Sequence, residues 1–218
     1  MNSPSPVYIE AGAKRSFACS LEWPGLCRSG RDEEAALSAL LSYAARYAAV
    51  AERAGIGFGL TDEQPWAVVA RVPTRSGGAD FGVPTTVLDS DLADLELEEA
   101  GRTAALLSAS WQFLDEVVAT APASLRKGPR GGGRDRDEIV GHVAAAEQMF
   151  AAKIGIKLRV PATGQAEAVL ANRVALEDWC RGGQARPGAR PGWPPRYAAR
   201  RLIWHVLDHA WEIEDRRP

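Results

Sequence analysis

Two histidines stand four residues apart, His205 and His209, in the segment Arg201–Glu214 (RLIWHVLDHAWEIE). On a helix, residues i and i+4 stack on one face, so both imidazoles can reach a single metal ion. Neutral imidazole is a ligand for zinc, nickel, copper or iron, and two rings need one or two further ligands from elsewhere. The chain has only 3 histidines, and the third, His142, is centred in the helical stretch Glu138–Glu147 (EIVGHVAAAE). If the two helices are neighbours, His142 completes a three-histidine site and leaves a coordination position open. Buried imidazoles need partners, and one shared ion satisfies three of them at once. Such an ion keeps its positive charge and lowers the pKa of a bound water or thiol, which suits hydrolysis or S-transfer. Zinc leads the candidate ions, with nickel, iron and copper as alternatives.

Several neighbours could assist this centre. Asp208 and Glu212 flank the histidine pair, and either could orient an imidazole N–H or act as a base. Ion pairing with Arg200, Arg201 or Arg216 is the plainer role for both, and Glu138 and Glu147 are similarly ambiguous around His142. The loop Lys127–Arg134 (KGPRGGGR) lacks the spacing of a phosphate-binding loop, and its glycines read as a flexible turn. Asp135 and Glu138 have capping-box spacing for the helix that follows. Arg130 and Arg134 are the candidates there for holding an anionic substrate at the helix end. Tyr197, one of four aromatics around the last helix with Trp193, Trp204 and Trp211, could present a hydroxyl to the pocket. The segment Arg186–Pro195 is too rich in proline and glycine to be helical and reads as a connector.

The elements that must position these residues follow from periodicity. From about Leu92 the pattern is helical, with helices over roughly Leu92–Thr120, Asp135–Ile154, Gln165–Arg181 and Pro195–Asp215. Four helices joined by loops rich in glycine and proline suggest a four-helix bundle. The first third mixes strand and helix. Val7–Glu10 and Ser16–Leu21 suggest a hairpin, and Trp23-Pro24-Gly25 turns the chain toward Leu26–Gly30. A helix follows to about Arg53, with Asp32 as N-cap, and Trp66–Val72 is a candidate strand. Periodicity is lost between Pro73 and Pro84, so the division falls there: an α+β segment over 1–85 and a bundle over 90–218.

Composition excludes other classes. With 218 residues, 46% hydrophobic and 25% charged, the chain is an ordinary globular protein with enough core to fold without disulfides. A formal net charge of −2 argues against a nucleic-acid or anionic-membrane surface, so the expected partner is a small molecule. No apolar run reaches the length of a membrane span, and the first ten residues lack a signal peptide's pattern, so a cytoplasmic location is expected. Cys19, Cys27 and Cys180 form no C-x-x-C pair and read as small buried thiols.

A long helix, a helix with central His142, and a late helix with His205-x-x-x-His209 together resemble the DinB superfamily over roughly Leu92–Arg217. The resemblance implies a four-helix bundle with a three-histidine divalent metal site, His142 matching the ligand of the second helix and His205 and His209 the pair of the last. It also implies a metal-dependent thiol S-transferase, isomerase or hydrolase, with a low-molecular-weight thiol such as mycothiol, bacillithiol or glutathione as co-substrate. Bundles of this type often pair, so a homodimer is compatible with it. Val7–Glu10, the turn Trp23–Gly30 and Asp32–Leu37 resemble the HicB antitoxin fold over about Val7–Tyr47. A HicB antitoxin usually carries a DNA-binding segment as well, and nothing here reads as one.

Three functions are therefore in view. One is a metal-dependent enzyme of the DinB type. The second is a module that binds a small ligand or a protein without turnover. The third is an antitoxin-like regulator that recognises a protein through the first segment.

Overall fold

The computed structural model of the chain describes residues 4–59, 66–128, 132–159, 166–182 and 192–218. The fold is α+β, and the chain divides into two compact units, Met1–Asp89 and Ser90–Pro218.

The first unit is a four-stranded sheet with one long helix. Strands β1 (Ser5–Ala11) and β2 (Ser16–Ser20) form the expected antiparallel hairpin, with Val7 opposite Ser20 and Ala11 opposite Ser16. Strand β3 (Cys27–Gly30) pairs antiparallel with β2, and β4 (Trp66–Pro73) lies parallel to β1, giving the order β3-β2-β1-β4. A parallel neighbour requires a crossover, and helix α1 (Glu33–Arg53) supplies it. Asp32 caps α1 by accepting a hydrogen bond from the Ala35 amide at 2.8 Å. Gly30 lets the strand run tightly into the helix, because a Cβ there would lie 2.3 Å from the Ala36 nitrogen. Gly55, at φ +70°, ends the helix in the left-handed conformation that glycine adopts without penalty. The buried stripe Ala36, Leu40, Ala44, Tyr47 and Ala51 faces inward at helical spacing. The Tyr47 hydroxyl donates to the Pro24 carbonyl at 2.7 Å, while Trp23 and Phe58 pack against its ring.

Two features of this unit depart from expectation. Residues Cys27–Gly30 form a strand although Arg28, Ser29 and Gly30 carry no apolar alternation; pairing with β2 imposes it. That register also sets Cys19 opposite Cys27, with Cα atoms 4.1 Å apart, and the two are joined as a disulfide. An eight-residue separation gives no hint of this until the strands are aligned. Cys180 is the buried free thiol, its pKa pushed up to about 12 by burial.

The second unit contains α2 (Leu97–Thr120), α3 (Arg136–Lys153), α4 (Ala166–Gly182) and α5 (Pro195–Asp215). Helix α5 packs against α2 and α3, and α2 also packs against α4. Pro195 opens α5 at a position where a missing N–H is harmless. From Arg201 to Leu207 every residue of α5 is buried, which makes it the central element. Helix α2 starts at Leu97 rather than near Leu92. The preceding residues are held by side chains of α5 instead of continuing the helix. Arg196 donates to the carbonyls of Ala93 and Asp94 and pairs with Glu99, and Arg200 pairs with the buried Asp91. Helix α3 has the expected cap, with the Asp135 amide donating to Glu138 Oε2 at 2.8 Å. Among the described residues, no helix is long and apolar enough to cross a membrane.

Candidate metal centre

Packing of α3 against α5 brings the chain's three histidines together. The ring centroids of His205 and His209 lie 4.6 Å apart, those of His142 and His209 4.8 Å, and those of His142 and His205 5.1 Å. One nitrogen from each ring lies within 4.8 Å of the other two, and among the described residues this is the group of side chains able to hold a metal ion. His205 and His209 are buried, whereas His142 is half-buried and forms the side of the cluster toward solvent.

Burial favours the ligand-competent neutral form of His205 and His142. Burial, reinforced by the neighbouring rings of His209 and His142 and by the charges of Arg201 and Arg134, pushes the His205 pKa down to about 2. Burial, with His209 and Arg134, also lowers that of His142, against a smaller opposing pull from Glu212. His209 Nδ1 lies 2.8 Å from Glu212 Oε2. The hydrogen bond from His209 holds the Glu212 carboxyl below its usual range despite partial burial, and Arg216 adds to the effect from 2.6 Å. An ionised carboxylate only accepts, so Nδ1 carries the proton and Nε2 is the donor nitrogen left to a metal. On His205, Nδ1 is buried and, among the described residues, has no hydrogen-bond partner. A bound cation would satisfy such an atom, and three neutral imidazoles are a donor set that divalent first-row ions accept.

An aromatic wall extends from the cluster. Phe150 of α3 meets the His205 ring at 5.4 Å, Trp193 packs on Phe150 at 5.1 Å, and Tyr197 meets Trp193 at 5.0 Å. Tyr197 is buried within this wall. Asp208 is half-buried on α5 and outside the three-histidine group. Arg134 is exposed, but its charge acts on both His142 and His205. Arg130 lies outside the described residues, as does 186–191 of the expected connector.

The ambiguous carboxylates separate cleanly. Glu138 caps α3. Glu147 is buried elsewhere in the bundle, where it accepts a 2.6 Å hydrogen bond from the Trp111 indole of α2. Five residues after His142, it projects from a different side of α3. The sequence suggested Arg201 only as an ion-pair partner for Asp208 or Glu212, and did not point to Phe150. Arg201 is one helical turn before His205, a spacing that could have flagged it; Phe150 is eight residues after His142, two turns along the same helix.

No family model matches the chain, and no curated protein or solved structure matches it either.

Proposed function

We propose that the second unit is the metal centre of a DinB-type enzyme that acts on a small molecule as a thiol S-transferase, isomerase or hydrolase. The observation that carries this reading is the convergence of all 3 histidines from two helices into one group of potential ligands. The 2.8 Å hydrogen bond between His209 Nδ1 and Glu212 supports it. His142, His205 and His209 are the ligands in this reading, and zinc is the first candidate ion, ahead of nickel, iron and copper.

When bound, a divalent ion with three neutral ligands would lower the pKa of a thiol or water beside it. The chain's own residues do the rest. Glu212 fixes the tautomer and orientation of His209. Burial of His205 keeps a proton from competing for its nitrogen. Phe150 and Trp193 exclude water from one flank, and Tyr197 and Arg134 are the candidates for contacting substrate. A thiol such as mycothiol fits this chemistry as co-substrate; the cytoplasmic location expected from the sequence goes with this reading, and there the Cys19–Cys27 pair would be open to reduction. The three antiparallel strands followed by α1 support a HicB-like ancestry for the first unit, without the antitoxin role.

The test is metal analysis of protein purified from cells supplemented with zinc, nickel or iron, followed by turnover assays pairing low-molecular-weight thiols with electrophilic substrates. About one ion per chain is expected, lost in His142→Ala, His205→Ala and His209→Ala. Metal-free protein with properties unchanged by all three substitutions would sink the reading. Tight metal binding with no turnover across the panel would replace the enzyme with a ligand-binding module.

A further inference from the structure

The end of α5 is tied by hydrogen bonds to the connection between α2 and α3. The Arg126 amide donates to the Arg216 carbonyl at 2.8 Å, and Arg216 Nε donates back to the Arg126 carbonyl at 2.9 Å. The Arg126 guanidinium donates to the Asp215 carbonyl at 2.6 Å. With Nε anchored on this backbone, Arg216 Nη1 reaches Glu212 and donates to Oε1 at 2.6 Å. The other oxygen of that carboxylate, Oε2, meets His209 Nδ1 at 2.8 Å. His209, Glu212 and Arg216 follow one another at i, i+3 and i+7, so one side of the helix end carries the whole relay.

The guanidinium suits this place for two reasons. Its planar fork bonds a carbonyl through Nε and a carboxylate through Nη1 at the same time, which a lysine ammonium cannot reproduce. Its side chain is only 17% exposed, so water competes little for these contacts. Gly133, in the α2–α3 connection, leaves the room it needs. The φ of Gly133 is +114°, and a Cβ there would lie 2.7 Å from Arg216 Nη2 and 2.9 Å from Cζ. A side chain at 133 would therefore push on the guanidinium itself.

We infer that Arg216 is a positioning residue for the metal centre, clamping Glu212 against His209 so that His209 keeps Nε2 turned to the ion, with Arg126 and Gly133 setting the clamp. This deepens the metal-centre reading above and rests on it. Arg216 acts on the ion only through Glu212 and His209. The α2–α3 connection, which supplies none of the three histidines, is thereby coupled to metal affinity.

The experiment uses the full chain, with and without zinc. In the metal-free protein at pH 8, nitrogen-15 NMR of the histidine rings reads the tautomer of His209, assigned by its loss in His209→Gln. The wild type should hold the Nδ1–H form, and Arg216→Ala should give a mixture. In zinc titrations Arg216→Ala should weaken affinity about 10-fold. Arg216→Lys, which keeps the charge without the fork, should recover only part of that. Gly133→Ala should weaken affinity a few-fold, although it changes neither a ligand nor a charge. A double-mutant cycle separates the relay from a general structural role: Arg216→Ala added to Glu212→Ala should cost no further affinity. If Arg216→Ala fails to fold, Arg216→Lys and Gly133→Ala carry the same measurements. Additive losses in the double variant would overturn the inference and leave the metal centre standing. Wild-type affinity with an unchanged His209 tautomer in the single variants would do the same. A wild type that takes up neither zinc, nickel nor iron would overturn both.

Discussion

Glu212 and His209, three residues apart on α5, share a hydrogen bond of 2.8 Å between a carboxylate oxygen and Nδ1. The same carboxylate accepts from Arg216 at 2.6 Å, so its position is set from two sides. This arrangement orients the imidazole before any ion arrives. Glu212→Ala should therefore lower zinc affinity by about 10- to 100-fold while leaving the far-ultraviolet circular dichroism unchanged. Glu212→Gln, which can still accept from Nδ1, should lose less. Calorimetric zinc titration measures both, and wild-type affinity in Glu212→Ala would remove Glu212 from the site.

His205 makes the metal-free protein sensitive to acid. Its pKa falls from 6.5 in the unfolded chain to about 2 in the folded one, chiefly through burial. Below pH 6.5 the unfolded chain takes up a proton that the folded chain refuses, so stability present above that pH is lost as the pH drops. At pH 5 the loss from His205 alone amounts to about 2 kcal/mol. Urea melts between pH 8 and pH 4 should show this decline, flattened in His205→Gln. An identical slope in the variant would show that the acid sensitivity arises elsewhere.

The helices were legible because their signals are local. Alternation of apolar residues at helical spacing, Asp32 and Asp135 as caps, and Pro195 as an opener mark the boundaries of α1, α3 and α5 in the sequence itself. Strand β3 was not legible, since Arg28, Ser29 and Gly30 acquire their conformation from β2 rather than from their own side chains. The same holds for the start of α2. Its first turns are displaced by contacts from Arg196 and Arg200, about a hundred residues away. Within the site, the histidines announced themselves by scarcity and spacing. Arg201 and Phe150 did not, because an arginine on a helix ordinarily faces water, and only the packing of α3 on α5 shows these two against each other.

Glu147 is a buried carboxylate that the metal centre does not use. Burial raises its pKa, against the hydrogen bond from Trp111 and the charge of Arg173, which pull it down. A raised pKa means the folded state holds the proton more tightly, so stability is greatest at acid pH and falls as the pH rises past the ordinary carboxyl range. Glu147→Gln keeps an oxygen for the Trp111 indole and removes the burden of a buried charge. It should raise the melting temperature at pH 8, with the gain shrinking toward pH 4. A Gln variant less stable than wild type at pH 8 would show that the ionised carboxylate is itself stabilising, through Arg173.

In the first unit, Glu10 has the corresponding role of a buried anchor, here fully paired. It is 0% exposed and accepts hydrogen bonds from the Thr74 hydroxyl at 2.7 Å and from the Thr85 and Thr86 amides at 2.9 and 3.0 Å. One carboxylate on β1 thus ties down the segment that leaves β4, which has no strand or long helix of its own to satisfy those amides. Glu10→Ala leaves buried donors unsatisfied and should destabilise the unit by about 3 kcal/mol or more. Glu10→Gln replaces an acceptor by an NH2 group facing other donors, so it should recover only part of the loss. Hydrogen exchange gives the local readout: the Thr85 and Thr86 amides should lose protection in both variants before the β1–β2 ladder does. Retained protection at those two amides in Glu10→Ala would mean that the segment is held by its own backbone and not by the carboxylate.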